Sequence, residues 1–202
     1  WGGASFDFDS VPFVKEAISC RKWAFASDYI RLHALYTEGG IYLDSDVQAY
    51  GNIDSWLHAR FFTGLETRTK EHDSFFVEAA IMGAEKGHPF IKKCLDLYAN
   101  RHFIIENGAM DLTPIPTLIS KIMIESYGWT PSDKTIRLDD GIIIFSTNYI
   151  CNTNCIRNDT VRLYHWNNRS WIPLTRKEKI LFFLKKIGLK KIRDFFRKIV
   201  NV

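Results

Sequence analysis

The sequence is poor in the features that define several classes of protein. It has only four cysteines in 202 residues, and the C-x3-C spacing of Cys151 and Cys155 has no second pair to complete a zinc site. We therefore expect reduced thiols rather than a zinc knuckle. No apolar run approaches the roughly 18 residues that a membrane-spanning helix needs. The first residues also lack the basic start and the apolar segment of a secretory signal peptide.

The composition that remains is that of an ordinary folded chain with an uneven charge. Apolar residues make up 46% and charged residues 25% of the sequence, which excludes disorder as the main state. From Arg176 to the end there are ten Lys/Arg and two Asp/Glu, a local balance of +8, whereas the whole chain carries only +4. Residues 1–175 therefore form a mildly acidic body, to which a strongly basic tail is attached.

The tail has the pattern of a basic amphipathic helix. Apolar residues recur at helical spacing before and after Gly188, and lysines and arginines occupy the other side. Such a helix tends to lie on anionic membrane surfaces, and we predict that role for a tail over 174–202, separate from a domain over 1–173. The alternative is a terminal helix packed on the body with its charged face in water. Nucleic-acid binding is disfavoured, because contacts with bases or phosphates need no apolar stripe.

The body alternates between helical and strand patterns. Apolar residues recur on one face from Trp23 to Glu38, and Gly39 and Gly40 end this predicted helix. Further helices are predicted over 14–22, 89–100 and 117–127. Predicted strands lie at 41–43, 61–64, 77–82, 136–138, 142–145 and 161–165. This alternation predicts an α/β domain.

The segment EGGIYLDSDV, residues 38–47, contains the candidate metal-binding residues of the sequence. Asp44 and Asp46 directly follow the short strand 41–43, which we predict to be buried. Residues i and i+2 of an extended segment point the same way, and two carboxylates held that close repel each other unless a cation lies beside them. Oxygen ligands suit Mg²⁺ or Mn²⁺, and such a metal usually bridges to substrate phosphates. The pair therefore predicts a metal–diphosphate site.

Two other interpretations of the D-x-D pattern stay open at this point. A bare D-x-D is more often a solvated loop than a metal site. A strand followed by D-x-D also opens the haloacid-dehalogenase phosphohydrolases, although their pattern continues with Thr or Val at the position where this sequence has Gln48.

A longer stretch carries a resemblance. The segment FASDYIRLHALYTEGGIYLDSDV, residues 25–47, resembles the sugar-binding region of the DXD-containing glycosyltransferases of family 32. That family includes bacterial capsular and lipopolysaccharide sugar transferases and yeast α-mannosyltransferases, and the segment is also similar to the catalytic core of the large clostridial glucosylating toxins. MGAEKGHPFI at 82–91 and HWNNRSW at 165–171 extend the resemblance over about 1–173.

The resemblance implies a fold, a donor and a chemistry. The fold would be α/β, with a GT-A-like nucleotide-sugar-binding mixed sheet flanked by helices, followed by the basic amphipathic helical tail. The family uses a nucleotide-sugar donor and a divalent metal, and it retains the anomeric configuration. Asp28 and Arg31 would hold the hydroxyls and the diphosphate of the donor, although their i, i+3 spacing also fits a plain surface ion pair. Arg31 would be catalytic, and Tyr42 would lie near the donor.

The other site residues implied by the resemblance belong to the D-x-D motif and to a later loop. Asp44 would bind the ribose or the sugar, Asp46 would ligate Mn²⁺ or Mg²⁺ directly, and both would be catalytic. His165 would be a second metal ligand. Ser170 and Trp171 would close over the diphosphate and bind the donor.

The predicted function is a metal-dependent retaining glycosyltransferase. It would move a hexose, from a UDP-sugar in preference to a GDP-sugar, to a growing surface glycan or a lipid-linked glycan, such as capsule, exopolysaccharide or lipopolysaccharide. The expected location is the cytoplasm, peripheral to the inner face of the bacterial cell membrane. Family members usually begin with an extra strand that binds the base, and this sequence starts after it, so we expect an N-terminally truncated domain. The alternative is therefore a truncated, non-catalytic module that binds sugar nucleotide or the membrane surface.

Overall fold

Helix α2, Trp23–Glu38, has the predicted bounds, and the two glycines after it set the direction of the chain. Both adopt positive φ angles, +73° at Gly39 and +102° at Gly40, which favour glycine over other residues. A Cβ at Gly39 would lie 2.7 Å from the backbone nitrogen of Lys86, so the close approach of these two segments also requires glycine. The chain then enters strand β1, Gly40–Leu43, directly.

The computed structural model describes residues 6–67, 75–167 and 180. The helices are α1 Pro12–Ser19, α2 Trp23–Glu38, α3 Pro89–Asp96 and α4 Ile115–Tyr127. The strands are β1 Gly40–Leu43, β2 Val47–Ala49, β3 Phe61–Thr67, β4 Phe75–Ala84, β5 Ile136–Leu138, β6 Ile142–Ile144, β7 Ile150–Asn152 and β8 Leu163–His165. Short 3₁₀ turns occupy Asp54–Trp56 and Asp139–Gly141.

The strands form two sheets, so the predicted mixed α/β architecture is confirmed. The larger sheet has the order β1-β4-β3-β6-β5, in which β3 and β6 are parallel and the other pairs are antiparallel. The smaller sheet has the order β2-β8-β7, with β2 antiparallel and β7 parallel to β8. Helix α4 packs on β4, and α1 and α3 pack on α2.

Alternation of side chains along the central strands produces a separate core on each face of the larger sheet. Phe61 and Ile142 belong to the main core, which they share with residues of all four helices. Their neighbours Phe62 and Ile143 point the other way into a second core, together with Leu163 of the smaller sheet. The domain therefore has three layers: helices, the five-stranded sheet and the three-stranded sheet.

Several predicted elements differ from the structure. Strand β1 is not buried, because it lies at one edge of the larger sheet, and Ile41 and Leu43 are each 42% exposed. Helix α1 was predicted over 14–22 but ends at Ser19, since Arg21 adopts a positive φ of 56° that breaks the helix. Helix α3 stops at Asp96 and continues as turns. Strands β2 and β7 were not predicted at all.

Strand β4 contains a bulge that matters for the site. Thr63 of β3 pairs with Met82, whereas Leu65 pairs with Val77, so residues 78–81 face Gly64 alone. The Thr63 hydroxyl lies 2.6 Å from the carbonyl oxygen of Glu78 and 2.9 Å from that of Ile81, within the bulge. A bulge re-aims side chains and frees backbone groups from the ladder. Here the freed groups face the end of β1.

Apart from Ile180, the predicted tail lies outside the described residues, as do the domain boundary at residue 173 and the predicted donor-binding residues Ser170 and Trp171. These remain predictions. Over the part of the chain that the structure describes, no helix combines the length and the apolar character that crossing a bilayer requires.

Candidate metal centre and donor site

The two aspartates of the motif lie in the tight turn that joins β1 to β2. The backbone N–H of Val47 donates to the carbonyl oxygen of Asp44 at 3.0 Å, and the N–H of Asp44 donates to Ala80 in the β4 bulge at 2.8 Å. The prediction that Asp44 and Asp46 share one side of an extended segment is therefore wrong. A turn replaces the strand there, and it still brings the two carboxylates together.

His165 reaches the same place from the other end of the sequence. Strand β8 pairs with β2 so that His165 is opposite Val47, and the Trp166 N–H donates to the carbonyl oxygen of Asp46 at 3.0 Å. Nε2 of His165 lies 3.4 Å from Oδ1 of Asp46. One ligand atom from each of Asp44, Asp46 and His165 lies within 4.8 Å of the others. The two predicted metal ligands are thus brought together, and Asp44 joins them.

This set of ligand atoms fits a divalent cation. Two carboxylates and an imidazole supply two hard oxygens and one nitrogen on one side of an ion, which leaves positions for water or substrate. Since the three groups come from a backbone turn and a paired strand, the ladder between β2 and β8 determines their spacing.

Arg31 connects the centre to helix α2. Its guanidinium lies 3.0 Å from Asp28 and 3.4 Å from Oδ1 of Asp44, and it donates to the carbonyl oxygen of Ala79 in the bulge at 2.9 Å. The side chains of Arg31 and Asp28 are 7% and 13% exposed. The alternative of a plain surface ion pair is therefore wrong, because this pair is buried against the site.

Burial and charge shift the pKa values of this pair. Burial lowers the pKa of Arg31, but the charges of Asp28 and Asp44 outweigh it, and the net change is upward, so Arg31 stays cationic. Burial raises the pKa of Asp28 to about 6, against the opposing charge of Arg31. Asp28 is thus a carboxylate at neutral pH that takes up a proton under mildly acidic conditions.

Tyr42 lies between the two parts of the site. Its hydroxyl donates to Oδ1 of Asp44 at 2.6 Å, and the Arg31 guanidinium lies 4.7 Å from the centre of its ring. Burial raises the pKa of Tyr42, so the phenol keeps its proton and remains a donor to Asp44. The tyrosine and Arg31 therefore both hold Oδ1 of Asp44.

Glu78 is a site residue that the sequence analysis missed. It lies in the β4 bulge with its side chain only 3% exposed. Its Oε1 accepts hydrogen bonds from the N–H groups of Ala79 and Ala80 at 3.0 and 2.9 Å, and its Oε2 lies 3.4 Å from Nδ1 of His165. The signal that could have found it is one acidic residue within the otherwise uncharged strand segment FFVEAAIMGA.

The histidine carries a positive charge in this arrangement. Burial lowers the pKa of His165, but the hydrogen bonds and charges of Asp46 and Glu78 outweigh it and raise the pKa to about 10. Burial likewise raises the pKa of Glu78, and His165 with the two backbone N–H groups brings it below the ordinary value. An imidazolium therefore lies between two carboxylates when no other cation is bound.

Comparison with known proteins gives the site a family context. Residues 4–62 match the family of the glycosyltransferase sugar-binding region containing a DXD motif. This stretch includes Asp28, Arg31, Tyr42, Asp44 and Asp46, and the predicted resemblance to DXD-containing glycosyltransferases is confirmed there. This stretch is therefore similar to a glycosyltransferase sugar-binding region, and the match supports a transferase.

Similar proteins include curated sequences and a solved structure. An uncharacterized protein of Arabidopsis thaliana is 39% identical over 72 residues, which is 36% of this chain and 10% of that protein. Toxin Afp18 of Yersinia ruckeri is 28% identical over 137 residues, which is 64% of this chain and 6% of the toxin. The chain therefore spans a tenth or less of these two relatives. The structure of PaToxG glycosyltransferase aligns with a TM-score of 0.35 and 24% identity over 55% of this chain and 38% of that chain.

Proposed function

We propose that the chain is the catalytic domain of a metal-dependent retaining glycosyltransferase with a GT-A-like fold. The observation that carries the proposal is the convergence of Asp44, Asp46 and His165 beside the buried Asp28–Arg31 pair. Four of these five residues lie within the stretch that matches the DXD sugar-binding family. A family match and an independent geometric cluster therefore indicate the same chemistry.

The proposed metal is Mn²⁺, with Mg²⁺ as the alternative. Both accept carboxylate oxygens, but Mg²⁺ is a hard ion that prefers all-oxygen octahedral sites, and the imidazole of His165 suits Mn²⁺ better. When bound, the ion supplies Lewis-acid stabilisation of the charge that develops on the leaving diphosphate. Asp46 and His165 are the proposed direct ligands, with Asp44 next to them.

The residues of the chain have separate tasks in the proposed reaction. Arg31 supplies a permanent positive charge at the centre, and its bonds to Asp28 and Ala79 hold it in place before the donor arrives. Asp28 accepts hydrogen bonds from hydroxyls of the donor sugar. Tyr42 holds Asp44 in one orientation for the ribose or the sugar.

Retention of configuration defines the bond changes. The bond between the anomeric carbon and the diphosphate oxygen breaks, and its electron pair stays on the diphosphate. The hydroxyl of the acceptor attacks from the face that the diphosphate leaves, and its proton passes to a diphosphate oxygen. In this proposal Arg31 is charged throughout and stabilises the negative charge that accumulates on the diphosphate.

Donor, acceptor and location are proposed from the resemblance alone. The donor would be a UDP-sugar in preference to a GDP-sugar. The acceptor would be a surface glycan or a lipid-linked glycan at the inner face of a bacterial membrane, with the tail on the anionic surface. The 137-residue match to a toxin favours a second candidate, in which the same transfer reaction serves a toxin rather than glycan assembly.

The test is Mn²⁺-dependent hydrolysis of a panel of UDP- and GDP-sugars by the purified chain. We expect one donor to be hydrolysed and the rate to fall by about 10²-fold or more in Asp46→Asn. Asp96→Asn is the matched control, since Asp96 pairs with Lys92 on the exposed face of α3 and should leave the rate unchanged.

Two results would oppose the proposal. If no donor is hydrolysed and Asp46→Asn binds Mn²⁺ as tightly as the wild type, the metal-dependent transferase is wrong for this chain. If donors bind and are not hydrolysed, the non-catalytic alternative is favoured instead.

A further inference from the structure

Glu78 lies outside the stretch that matches the sugar-binding family, and none of the proposed catalytic roles uses it. A carboxylate buried in a strand is costly unless every oxygen has a partner. Here one oxygen takes two backbone N–H groups, and the other faces the imidazole of His165. Val77 and Ala79, which flank Glu78 in the strand, are buried and apolar. If packing in the core were the only requirement at position 78, an apolar residue would fit better than a glutamate.

The bulge determines the orientation of the carboxylate. The N–H groups of Ala79 and Ala80 both point at Oε1, since residues 78–81 leave the ladder with β3. This leaves Oε2 as the oxygen that faces Nδ1 of His165, at 3.4 Å. On the opposite edge of the ring, Nε2 faces Asp46. The imidazole is thus held between a fixed acceptor and the candidate metal centre.

We infer that Glu78 is a positioning residue that keeps the proton of His165 on Nδ1 and so presents Nε2 to a metal ion that is ligated by Asp46 and lies next to Asp44. The inference rests on the proposed function, because it assumes a metal at that centre. A histidine nitrogen can bind a metal only when that nitrogen carries no proton. The hydrogen bond made by the other ring nitrogen decides which of the two is free of a proton. Replacing a carboxylate that orients a metal-binding histidine typically lowers metal affinity by about 10–100-fold.

The arrangement makes Glu78→Gln an informative change. The two backbone N–H groups require an oxygen at Oε1, so the amide group of the glutamine must face Nδ1 with its NH₂. An NH₂ group donates, and it therefore requires Nδ1 to accept and Nε2 to carry the proton. The nearly isosteric substitution should invert the tautomer and block ligation without changing the volume of the side chain.

The chain contains a matched control. Glu16 accepts the consecutive N–H groups of Phe103 and Ile104 with one oxygen and faces Nδ1 of His102 with the other. Glu16→Gln therefore makes the same chemical change in the same kind of contact, at a histidine that is not part of the aspartate cluster.

The experiment measures Mn²⁺ binding to the metal-free chain by electron paramagnetic resonance of free Mn²⁺. We expect Glu78→Gln to bind about 10–100-fold more weakly than the wild type, and Glu16→Gln to bind equally well. In the His165→Ala background, Glu78→Gln should cause no further loss, because its effect passes through the imidazole. A general disturbance of the bulge would instead weaken binding in both backgrounds.

The outcomes separate the inference from the proposed function. If the wild type binds Mn²⁺ and Glu78→Gln binds it equally well, the inference is overturned and the metal site stands. The inference is also overturned if Glu78→Gln lowers the Mn²⁺ affinity of His165→Ala by as much as it lowers that of the wild type. If the wild type itself binds no Mn²⁺, the proposed function fails, and the inference fails with it.

A second measurement covers the case in which Glu78→Gln does not fold. In the wild type labelled with ¹⁵N at histidine, addition of Mg²⁺ should shift the Nε2 signal of His165 while Nδ1 keeps its proton. Loss of the proton from Nδ1 would contradict the inference without any variant.

Discussion

Within residues 6–67 and 75–167, the same contact occurs at Glu78 with His165 and at Glu16 with His102. In each, one carboxylate oxygen accepts two consecutive backbone N–H groups and the other faces Nδ1 of a histidine. The surroundings differ. The side chain of His165 is 12% exposed, whereas that of His102 is 56% exposed.

A contact between a carboxylate and a histidine does not by itself make a metal site. Beyond the ring of His165 lie Asp46 and the other members of the aspartate cluster, so the imidazole connects a fixed carboxylate to a place for a cation. Glu16 instead ties helix α1 to the backbone at Phe103 and Ile104, which is a structural task. Burial strengthens the electrostatics of the first contact, and water screens the second.

The largest effect on stability should come from removing a charge at the buried site. Arg31→Met leaves the Asp28 carboxylate and the Ala79 carbonyl without their buried partner, and we expect a loss of about 3–5 kcal/mol of unfolding free energy. Lys92→Met breaks an exposed ion pair with Asp96 on α3 and should leave the unfolding free energy nearly unchanged, because water screens that pair. Urea unfolding at pH 7 measures both. Equal losses would show that burial does not separate the two regions.

The next effect compares the two histidines directly. His165→Ala should reduce Mn²⁺-dependent donor hydrolysis by about 10²-fold, which is typical for one group at a charged transition state. His102→Ala should leave the rate unchanged. The assay uses whichever nucleotide sugar the panel identifies. A comparable fall in the hydrolysis rate of His102→Ala would contradict the assignment of a catalytic site to His165 alone of these two histidines.

A smaller effect should follow from disturbing the bulge that supports only the Glu78 contact. A Cβ at Gly64 would lie 2.5 Å from Cγ2 of Ile150, so Gly64→Ala forces β7 or the bulge to move. We expect a loss of about 1–3 kcal/mol, measured by thermal unfolding. Gly51→Ala is the control, since the added Cβ meets only the flexible side chain of Arg162. An unchanged melting temperature in Gly64→Ala would contradict the role given to this packing.

The smallest effect concerns the exposed contact and depends on pH. Burial raises the pKa of Glu16, but the hydrogen bonds from Ile104, His102 and Phe103 outweigh it, so the folded pKa lies below the ordinary 4.5. A carboxylate whose pKa falls on folding adds stability above the unfolded value, and that stability is lost as pH falls through the folded value. Glu16→Gln should therefore cost about 1 kcal/mol at pH 7 and less below pH 4.5. Denaturant curves at pH 7 and pH 3 measure this, and a pH-independent difference would be the contrary result.

The parts of the molecule that the sequence predicts are those controlled by local patterns. Helix α2 has its predicted bounds because its apolar face and its two terminal glycines are local features. Asp44 and Asp46 are predicted from the D-x-D motif and His165 from the family resemblance, and the structure brings the three together. Glu78 was missed because a bulge and a distant histidine give it a role, and neither is visible in neighbouring residues.

Topology explains the remaining errors. The apolar segment Ile41–Leu43 was predicted to be buried, but its place at the edge of the sheet depends on pairings that the local pattern does not reveal. Strands β2 and β7 have three residues each, and they exist because they pair with β8. A short segment without its partner has no periodicity to detect.

The pairing of β2 with β8 has a consequence for the order in which the molecule matures. The aspartates leave the ribosome more than a hundred residues before the imidazole that completes their cluster, and the pairing of β2 with β8 brings them together. A nascent or clipped chain that ends ahead of β8 would present the acidic turn with two thirds of its coordinating groups. Tight binding of Mn²⁺ would then require that β8 has paired with β2, and an incomplete chain would not compete for the ion.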